Sequence, residues 1–445
     1  MDKRLEQDWL GTRELPPELP WGIHTERARE NFPVVCGPVN RQLLKAYLQV
    51  KWACAKANGE LEYLPAPLAT AIMAVCSDEN LVLPLLEQAQ LSALQGGAGT
   101  STNMLVNEVI GRLAKAHPLE QVNLHQSTND TYPTALKVAC IFALRDLSEK
   151  LAQLQGQFQV LEKKFAGIPL MGVTETVEAV PFTLGLQFSS FAEAFARDRW
   201  RTYKAEERLR TVNLGGTAIG TGLTAPRSYI FLVVEKLREQ TGLGLARAEN
   251  MVDQTANTDG FVEVSGNLSA TAANLIKVAL DLRALAARGI LRLPAVQAGS
   301  SIMPGKVNPV ILESVIQMGL KAKANHAMVV DCSSLGSLQI CEFMPLLAQA
   351  LLETLELLQT ATRSLAQHLQ GIEVNSALCQ QKFDDSPQIA TAFLPLLGYE
   401  GCQKLLQDYA QNGAGSFRSY LNVKLGENVV EAILSPQHLR ALGHA

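Results

Sequence analysis

Residues 140–165 read CIFALRDLSEKLAQLQGQFQVLEKKF, and this stretch decides the fold that the sequence predicts. Spacings of four and three alternate between its apolar residues, which are Cys140, Leu144, Leu147, Leu151, Leu154, Phe158, Leu161 and Phe165. Such spacing is typical of a helix that packs along a seam with other helices. At about 1.5 Å per residue this helix would be on the order of 45 Å long, so we expect partners of similar length in a helical bundle.

Further stretches on both sides of this seam have apolar residues at helical spacing, and strand signals are scarce. They are residues 41–59, 64–94 with an interruption at Pro84, 261–291 and 310–370. The sequence therefore predicts a mainly α protein with a central bundle of long helices. We also expect the seam to present more apolar surface than one chain can cover, which favours assembly with further copies.

Loops rich in Gly, Ser, Thr and Asn separate the predicted helices. They are residues 96–104, 125–134, 172–181 and 299–309. The first lacks the Gly-Lys-Ser/Thr ending of a phosphate-binding loop. Another glycine-rich stretch, residues 215–222, lacks the register of a dinucleotide-binding turn and a preceding apolar strand, so it is interpreted as a tight crossover.

Length, composition and charge limit the possible functions. A chain of 445 residues predicts two or three domains, and 47% apolar with 18% charged residues is typical of a globular protein. The formal charge of −4 without long basic runs argues against nucleic acid and anionic membranes as partners. Charged and proline-rich sequence follows Met1–Arg4, and no run approaches a membrane span, so we expect a cytoplasmic protein.

The metal-binding and redox-active residue types show no special pattern. The eight cysteines form no CxxC pair and are expected to be reduced, mostly buried thiols. The seven histidines lack HExxH or clustered spacing, so no dedicated metal site is expected. His24, near the N-terminus, has a structural and a catalytic interpretation. No cofactor is predicted, and the sequence does not decide whether a divalent cation activates the protein.

Residues 299–309, GSSIMPGKVNP, contain the chemistry that the bundle would position, and Glu313 follows four residues later. Two hydroxyls, one cation and one amide are concentrated there among glycines and prolines, which is typical of a loop rather than of a core. A loop with glycines near its ends and a reactive hydroxyl can close over a small substrate.

This loop resembles the signature loop of the aspartase/fumarase superfamily, and the other three loops resemble motifs of that superfamily in the same order. The stretch Gln126–Asp130 has the aspartase-like form, with Thr128 where fumarases typically have a second serine. The resemblance implies a three-domain lyase fold with domains at residues 1–128, 129–370 and 371–445. It also implies a homotetramer in which each active site takes loops from three subunits.

The activity that the resemblance implies is conversion of L-aspartate to fumarate and ammonia, by anti elimination through an aci-carboxylate intermediate and without an organic cofactor. Ser300 would be the general base and Asn129 would face the leaving amine. The implied ligands of the carboxylate that forms the intermediate are Thr100, Ser127 and Thr128. Those of the other carboxylate are Thr174, Lys306 and Asn308. The resemblance further implies support from Ser301 for binding and from Glu313 for the structure.

The chain departs from the family pattern at three places, and alternatives stay open. Glu175 stands where histidine or glutamine is usual, Val173 replaces a common arginine, and Leu119-Glu120 replaces Asn-Asp. The alternative activities are fumarate hydratase or an ammonia-lyase for another substituted succinate, and a catalytically silent binding or structural relative is a further one. Individually, Ser127 and Thr100 would also suit helix N-caps, and Lys306 an ordinary surface lysine.

Overall fold

A computed structural model describes residues 4–443, and most of these residues are helical. Met1–Lys3, on which the expectation of a cytoplasmic protein partly rests, lie outside the described residues. The α-helices are α1 Ile23–Asn31, α2 Arg41–Glu60, α3 Ala66–Ser77, α4 Glu79–Gln88, α5 Thr100–Ala114, α6 Thr128–Lys164, α7 Leu184–Ala205, α8 Arg227–Thr241, α9 Met251–Ala256, α10 Asp259–Ala287, α11 Val310–Ser334, α12 Met344–Leu369, α13 Ser376–Asp385, α14 Leu394–Asn412, α15 Phe417–Leu425, α16 Glu427–Leu434 and α17 Pro436–Arg440. The mainly α class predicted from the sequence is confirmed.

Short strands form two-stranded sheets between these helices. The pairs are β1 Arg4–Asp8 with β2 Gly11–Leu15, β3 Pro169–Thr174 with β4 Val177–Thr183, β5 Thr211–Val212 with β6 Ala246–Arg247, and β7 Leu291–Arg292 with β8 Glu373–Val374. The stretch 172–181, predicted as a loop, is therefore mostly the β3–β4 hairpin, and that prediction is wrong. Its tip, Glu175-Thr176, lacks the Asn-Gly type of signal by which such turns are recognised.

The predicted seam is part of α6, which at 37 residues is about 55 Å long. Every seam residue from Cys140 to Phe165 is at most 7% exposed within the single chain. Part of the covering comes from α7, because the rings of Phe158 and Phe195 stack with centroids 5.7 Å apart and Phe191 lies 5.5 Å from Phe158. The expectation that this seam is left uncovered by its own chain is wrong. A charge at Leu151 or Leu154 would disrupt folding rather than assembly alone.

The chain divides into two compact units. Unit 1 contains residues 1–148, 200–272 and 320–359, and unit 2 contains residues 149–199, 273–319 and 360–445. The long helices α6, α7, α10, α11 and α12 contribute residues to both. Unit 2 includes an apolar cluster of the C-terminal helices, built around Phe383, Phe393 and Phe417. The predicted three-domain boundaries stay a prediction.

Two further expectations concern thiols and membranes. All eight cysteines are free, and all but the exposed Cys36 are buried, as the sequence predicts. Among residues 4–443, no single helix is long and apolar enough to cross a membrane; only α3 and α4 taken together, bent by 76°, have the length and composition for it.

Candidate active site

In unit 1, Thr100 follows a tight glycine loop at the start of α5. Gly99 has φ +92°, and a Cβ there would lie 2.1 Å from the Tyr132 ring, so only glycine fits. Thr100 is the first helical residue, and its hydroxyl donates to the Gly97 carbonyl at 2.7 Å. The loop thus fixes an exposed hydroxyl at a helix N-terminus, where the helix dipole favours anions.

The second predicted loop places Ser127 and Thr128 at the N-terminus of α6. Ser127 Oγ accepts from the Asn129 N–H at 3.2 Å. The residue therefore caps the helix, which is the structural role that the sequence also allowed for it. Thr128 is buried, and its Oγ1 accepts from Asn103 Nδ2 at 3.2 Å. Because each oxygen accepts a bond from the protein, each hydroxyl proton is left to donate to another acceptor.

Asn129 and Asp130 connect this loop to the glycine-rich stretch 215–222. Asn129 Nδ2 donates to the Ala218 carbonyl at 2.7 Å, which leaves its Oδ1 as an acceptor. Asp130 accepts from the N–H groups of Ser127, Gly215 and Thr217 at 3.0 to 3.1 Å. Burial raises the pKa of the Asp130 carboxyl to about 7, against the opposing effect of these N–H groups.

Two buried lysines near this loop were not found from the sequence. Lys51 of α2 donates to Gln126 Oε1 at 2.7 Å and to Asn123 Oδ1 at 3.1 Å. Lys137 of α6 donates to the Thr211 carbonyl at 2.7 Å. Burial lowers the pKa of each ammonium to about 8. Both lie within apolar helical sequence, where a lysine is ordinarily expected to face solvent, so no pattern identified them.

In unit 2, the signature loop is closed at its base by its own backbone. The Gly299 N–H donates to the Lys306 carbonyl at 2.7 Å, and Asn308 Nδ2 donates to the Gly299 carbonyl at 2.8 Å. A Cβ at Gly299 would lie 2.8 Å from the Lys306 oxygen, so the closure requires glycine. Asn308 therefore has a structural bond in this loop in addition to its predicted role, while the Lys306 side chain is exposed.

Ser300 is held near the start of this loop by two backbone donors. Its Oγ accepts from the N–H groups of Ile302 at 3.2 Å and Met303 at 2.9 Å. Hydrogen bonds to an oxygen stabilise its charged form, so these donors favour the alkoxide that a serine base requires. The neighbouring residues Ser301 and Ile302 are exposed, Ile302 by 83%. The loop thus holds the Ser300 oxygen in place next to two exposed residues.

The other predicted residues of unit 2 lie on the β3–β4 hairpin and on α11. Thr174 pairs with Val177 across the turn, and Glu175 at the exposed tip has φ +51°. Among residues 4–443, no lysine or arginine forms an ion pair with Glu175. Glu313, in the first turn of α11, lies 3.6 Å from Arg283.

The predicted residues thus form two sets. In unit 1, Ser127, Thr128 and Asn129 are consecutive at the start of α6, where Asp130 accepts from the Ser127 N–H. Asn103 of α5 donates to Thr128, and Thr100 begins the same helix as Asn103. In unit 2, Ser300, Ser301, Lys306 and Asn308 share one loop, and Thr174 and Glu175 share the hairpin. Their roles toward a substrate stay predictions. Within residues 4–443, no cluster of three His, Cys, Asp or Glu side chains is suited to hold a metal ion.

Comparison with known proteins places this arrangement in a family. The sequence model of the family described as Lyase matches residues 12–323. An aspartate ammonia-lyase from Pseudomonas aeruginosa is 38% identical, with 98% of this chain and 97% of the relative aligned.

Two solved structures have the same fold. The fumarate lyase:delta crystallin from Brucella melitensis, bound to cobalt, superposes with a TM-score of 0.93 at 37% identity, covering 99% of this chain and all of that one. A class II fumarase from Schistosoma mansoni gives a TM-score of 0.89 at 28% identity, covering 98% of each chain. The chain therefore belongs to the Lyase family, in the aspartase/fumarase superfamily that its loops predicted.

Proposed function

We propose that this protein is an aspartate ammonia-lyase, which converts L-aspartate reversibly to fumarate and ammonia. The observation that carries the proposal is the geometry at Ser300. Its oxygen accepts hydrogen bonds from two backbone N–H groups, in a loop that resembles the signature loop of the family. The Pseudomonas aeruginosa relative, an aspartate ammonia-lyase similar along almost the whole chain, supports the choice of substrate.

The reaction requires removal of a weakly acidic proton beside a carboxylate. The Ser300 alkoxide takes a proton from C3 of aspartate, and the electron pair moves into the neighbouring carboxylate to form the aci-carboxylate. When the carbon–carbon double bond forms, the C2–N bond breaks and the amine leaves as ammonia, to which the serine proton is ultimately returned through solvent. Donors that are preorganised toward the extra charge are each worth roughly 3–4 kcal/mol in such a step.

The unit 1 residues supply these donors in the proposed mechanism. Thr100, Ser127 and Thr128 hold the carboxylate that becomes the intermediate, and the last two have hydroxyl protons left to donate. Asn129 Oδ1 accepts from the substrate ammonium, since its Nδ2 is bonded to Ala218.

The unit 2 residues hold the remainder of the substrate. Thr174, Lys306 and Asn308 bind the second carboxylate, and Lys306 supplies the positive charge that a carboxylate needs when it leaves water. Ser301 supports the other end, at the carboxylate that becomes the intermediate. Glu313 stabilises the first turn of α11 behind the loop.

The proposal also includes an assembly and a location. The protein acts as a homotetramer whose active sites combine loops of three subunits, and it works in the cytoplasm without an organic cofactor. Its partners are small dicarboxylates and amino acids rather than nucleic acid or membranes.

Purified protein incubated separately with aspartate, malate and larger amino-succinates tests this proposal through the ultraviolet absorption of fumarate. Aspartate should give the fastest production. Turnover of malate alone would support fumarate hydratase, which the similarity to the Schistosoma mansoni fumarase keeps as the second candidate. Absence of turnover with every substrate would support a catalytically silent relative.

Glu175 offers a sharper test between aspartate and malate. Two unit charges about 4 Å apart interact by roughly 4 kcal/mol at an effective dielectric near 20, so a carboxylate close to a dianion needs a cation between them. Aspartate has an ammonium and malate has a neutral hydroxyl. We predict that Glu175→Gln weakens aspartate binding and leaves malate binding unchanged or improved, as measured by KM for aspartate and inhibition by malate. Equal effects on both ligands would show that Glu175 does not distinguish the ammonium of aspartate from the hydroxyl of malate.

A further inference from the structure

Lys51 is an ammonium buried beneath the loop that carries Ser127 and Thr128, and its side chain forms no ion pair with any carboxylate of residues 4–443. It is 1% exposed. Its hydrogen bonds go to two neutral oxygens, Gln126 Oε1 and Asn123 Oδ1. A buried charge without a counter-charge is costly, and such groups are rarely kept without a partner.

The oxygens that Lys51 contacts belong to a network that ends on the predicted substrate ligands. Asn123 Oδ1 also accepts from Asn103 Nδ2 at 3.1 Å, and Asn103 donates in turn to Thr128 Oγ1 at 3.2 Å. Gln126 immediately precedes Ser127 and donates to the Val122 carbonyl at 2.9 Å. Lys51 therefore holds both the loop backbone and the Asn103 amide that orients the Thr128 hydroxyl.

Other titratable groups lie around Lys51, on its own helix and on the elements packed against it. They are Cys54 on α2, Cys76 on α3, His125 on the loop, Asp130 on α6 and Tyr229 on α8. Burial raises the pKa of both thiols and of the tyrosine and lowers that of His125, so these four groups are neutral near pH 8. Asp130 accepts hydrogen bonds from three backbone N–H groups and none from Lys51, and its carboxyl raises the pKa of Lys51 electrostatically, against the larger effect of burial.

We propose that Lys51 is a positioning residue whose ammonium is the buried counter-charge for the dianionic substrate, acting through Gln126, Asn123 and Asn103 on Ser127 and Thr128. This inference rests on the proposed function, and it names a second cation for the substrate besides Lys306. A bound carboxylate would add its negative charge to that of Asp130, which acts on Lys51 electrostatically but forms no hydrogen bond with it, so substrate binding should favour the protonated lysine.

The sign of the pH effect follows from this coupling. Burial lowers the pKa of free Lys51 to about 8, and a bound dianion raises it again. Binding at pH 8 should therefore take up about half a proton per site, and affinity should fall as the pH rises through 8. If the dianion raises this pKa by about one unit, loss of the charge costs about tenfold in affinity.

Succinate is a suitable probe because it is a dicarboxylate without an amine that titrates near pH 8. Titration calorimetry of succinate binding to the wild-type protein, between pH 6.5 and 9 in buffers of different ionisation enthalpy, measures proton uptake directly. We expect uptake of about half a proton, centred between the free and the bound pKa of Lys51, at about pH 8.5. Binding with no net uptake there would overturn the proposal, and because the wild-type protein is used, this result does not depend on how a variant folds.

Two variants test whether Lys51 is the group that takes up the proton when the dicarboxylate binds. Lys51→Met should abolish the uptake near pH 8, raise KM for aspartate about tenfold at pH 7 and remove the alkaline rise of KM, with a smaller effect on kcat. Lys56→Met is the matched control, since it removes a half-buried lysine of the same helix that pairs with Glu60. It should behave like the wild type.

Other outcomes contradict specific parts of the inference. Uptake centred near pH 7 that persists in Lys51→Met would assign the proton to Asp130 and overturn the role of Lys51. A structural role alone would lower stability without moving the pH profile. If the wild-type protein does not convert aspartate, the proposed function fails. If it converts aspartate but takes up no proton at pH 8, only the Lys51 inference fails.

Discussion

The Ser300 oxygen accepts hydrogen bonds from two backbone N–H groups. A free serine hydroxyl ionises far above physiological pH, so a serine base needs donors in place before the reaction begins. Ile302 and Met303 supply them from the same short loop. The two donors that the proposed base requires are therefore in place without any substrate contact.

We predict that Ser300→Ala lowers kcat for aspartate by about 10²–10⁴-fold, the usual contribution of a general base. The fold should be unaffected, because Ser300 supports no core contact. Steady-state kinetics and circular dichroism check both statements. Ser334→Ala is a matched control, since that exposed hydroxyl donates only to the Asp331 carbonyl at the end of α11. A variant at Ser300 that kept a tenth of wild-type activity would exclude it as the base.

At the residue scale, the sequence predicted the exposed loop around Ser300 and Lys306, whose roles stay predictions, better than it predicted the buried polar residues. Ser300 and Lys306 were found because hydroxyls and a cation among glycines and prolines indicate a loop. Lys51 and Asp130 were not found, because their importance depends on burial and on partners distant in sequence. Asp130, for example, reaches the N–H groups of Gly215 and Thr217, more than eighty residues away.

The β3–β4 hairpin shows the same limit at the scale of an element. Its turn has two residues with left-handed backbone, Glu175 at φ +51° and Thr176 at φ +69°. Glycine or asparagine is usual in such turns, and a β-branched residue is disfavoured there. Because Thr176 is atypical of such turns, the sequence gives no turn signal there, and the strands on both sides were predicted as loop. Helix α6, by contrast, was predicted from its long periodic pattern alone.

Thr176→Gly should stabilise this hairpin. Relief of the left-handed strain at a β-branched residue is worth about 1–2 kcal/mol, and the greater freedom of glycine in the unfolded chain offsets about half of it. We expect the free energy of unfolding to rise by about 0.5–1 kcal/mol in urea denaturation. Thr70→Gly, in the interior of α3, is the opposite control and should destabilise. A loss of stability in Thr176→Gly would show that the threonine side chain makes a compensating contact in solution.

At the scale of the whole molecule, the residues predicted for the site form two sets, one in each compact unit of the chain. The seam of α6 cannot supply the surface for assembly, because it is covered within the chain. Large apolar side chains remain exposed elsewhere on the long helices, including Trp200 on α7, Leu280 on α10 and Leu320 on α11. These exposed side chains, rather than the seam, support the proposed homotetramer.

Subunit hybrids test whether active sites are shared between copies. Ser127→Ala removes a predicted ligand in unit 1, and Ser300→Ala removes the predicted base in unit 2. We predict that each variant alone is nearly inactive, and that unfolding and refolding the two together restores activity, since some sites then receive both intact loops. Each variant refolded alone is the control. Sedimentation should show a tetramer in every sample, and a mixture without recovered activity would contradict sites shared between subunits.

The close approach of Gly99 to Tyr132 has a consequence for how the glycine loop before α5 and the start of α6 evolve. The tyrosine ring fills the space that a side chain at position 99 would occupy, and φ at that glycine is +92°. In any lineage of this family, a side chain at 99 would be admitted only after the residue at 132 became smaller and the turn changed its backbone conformation. The two positions should therefore covary, and the glycine loop before α5 should evolve together with the start of α6.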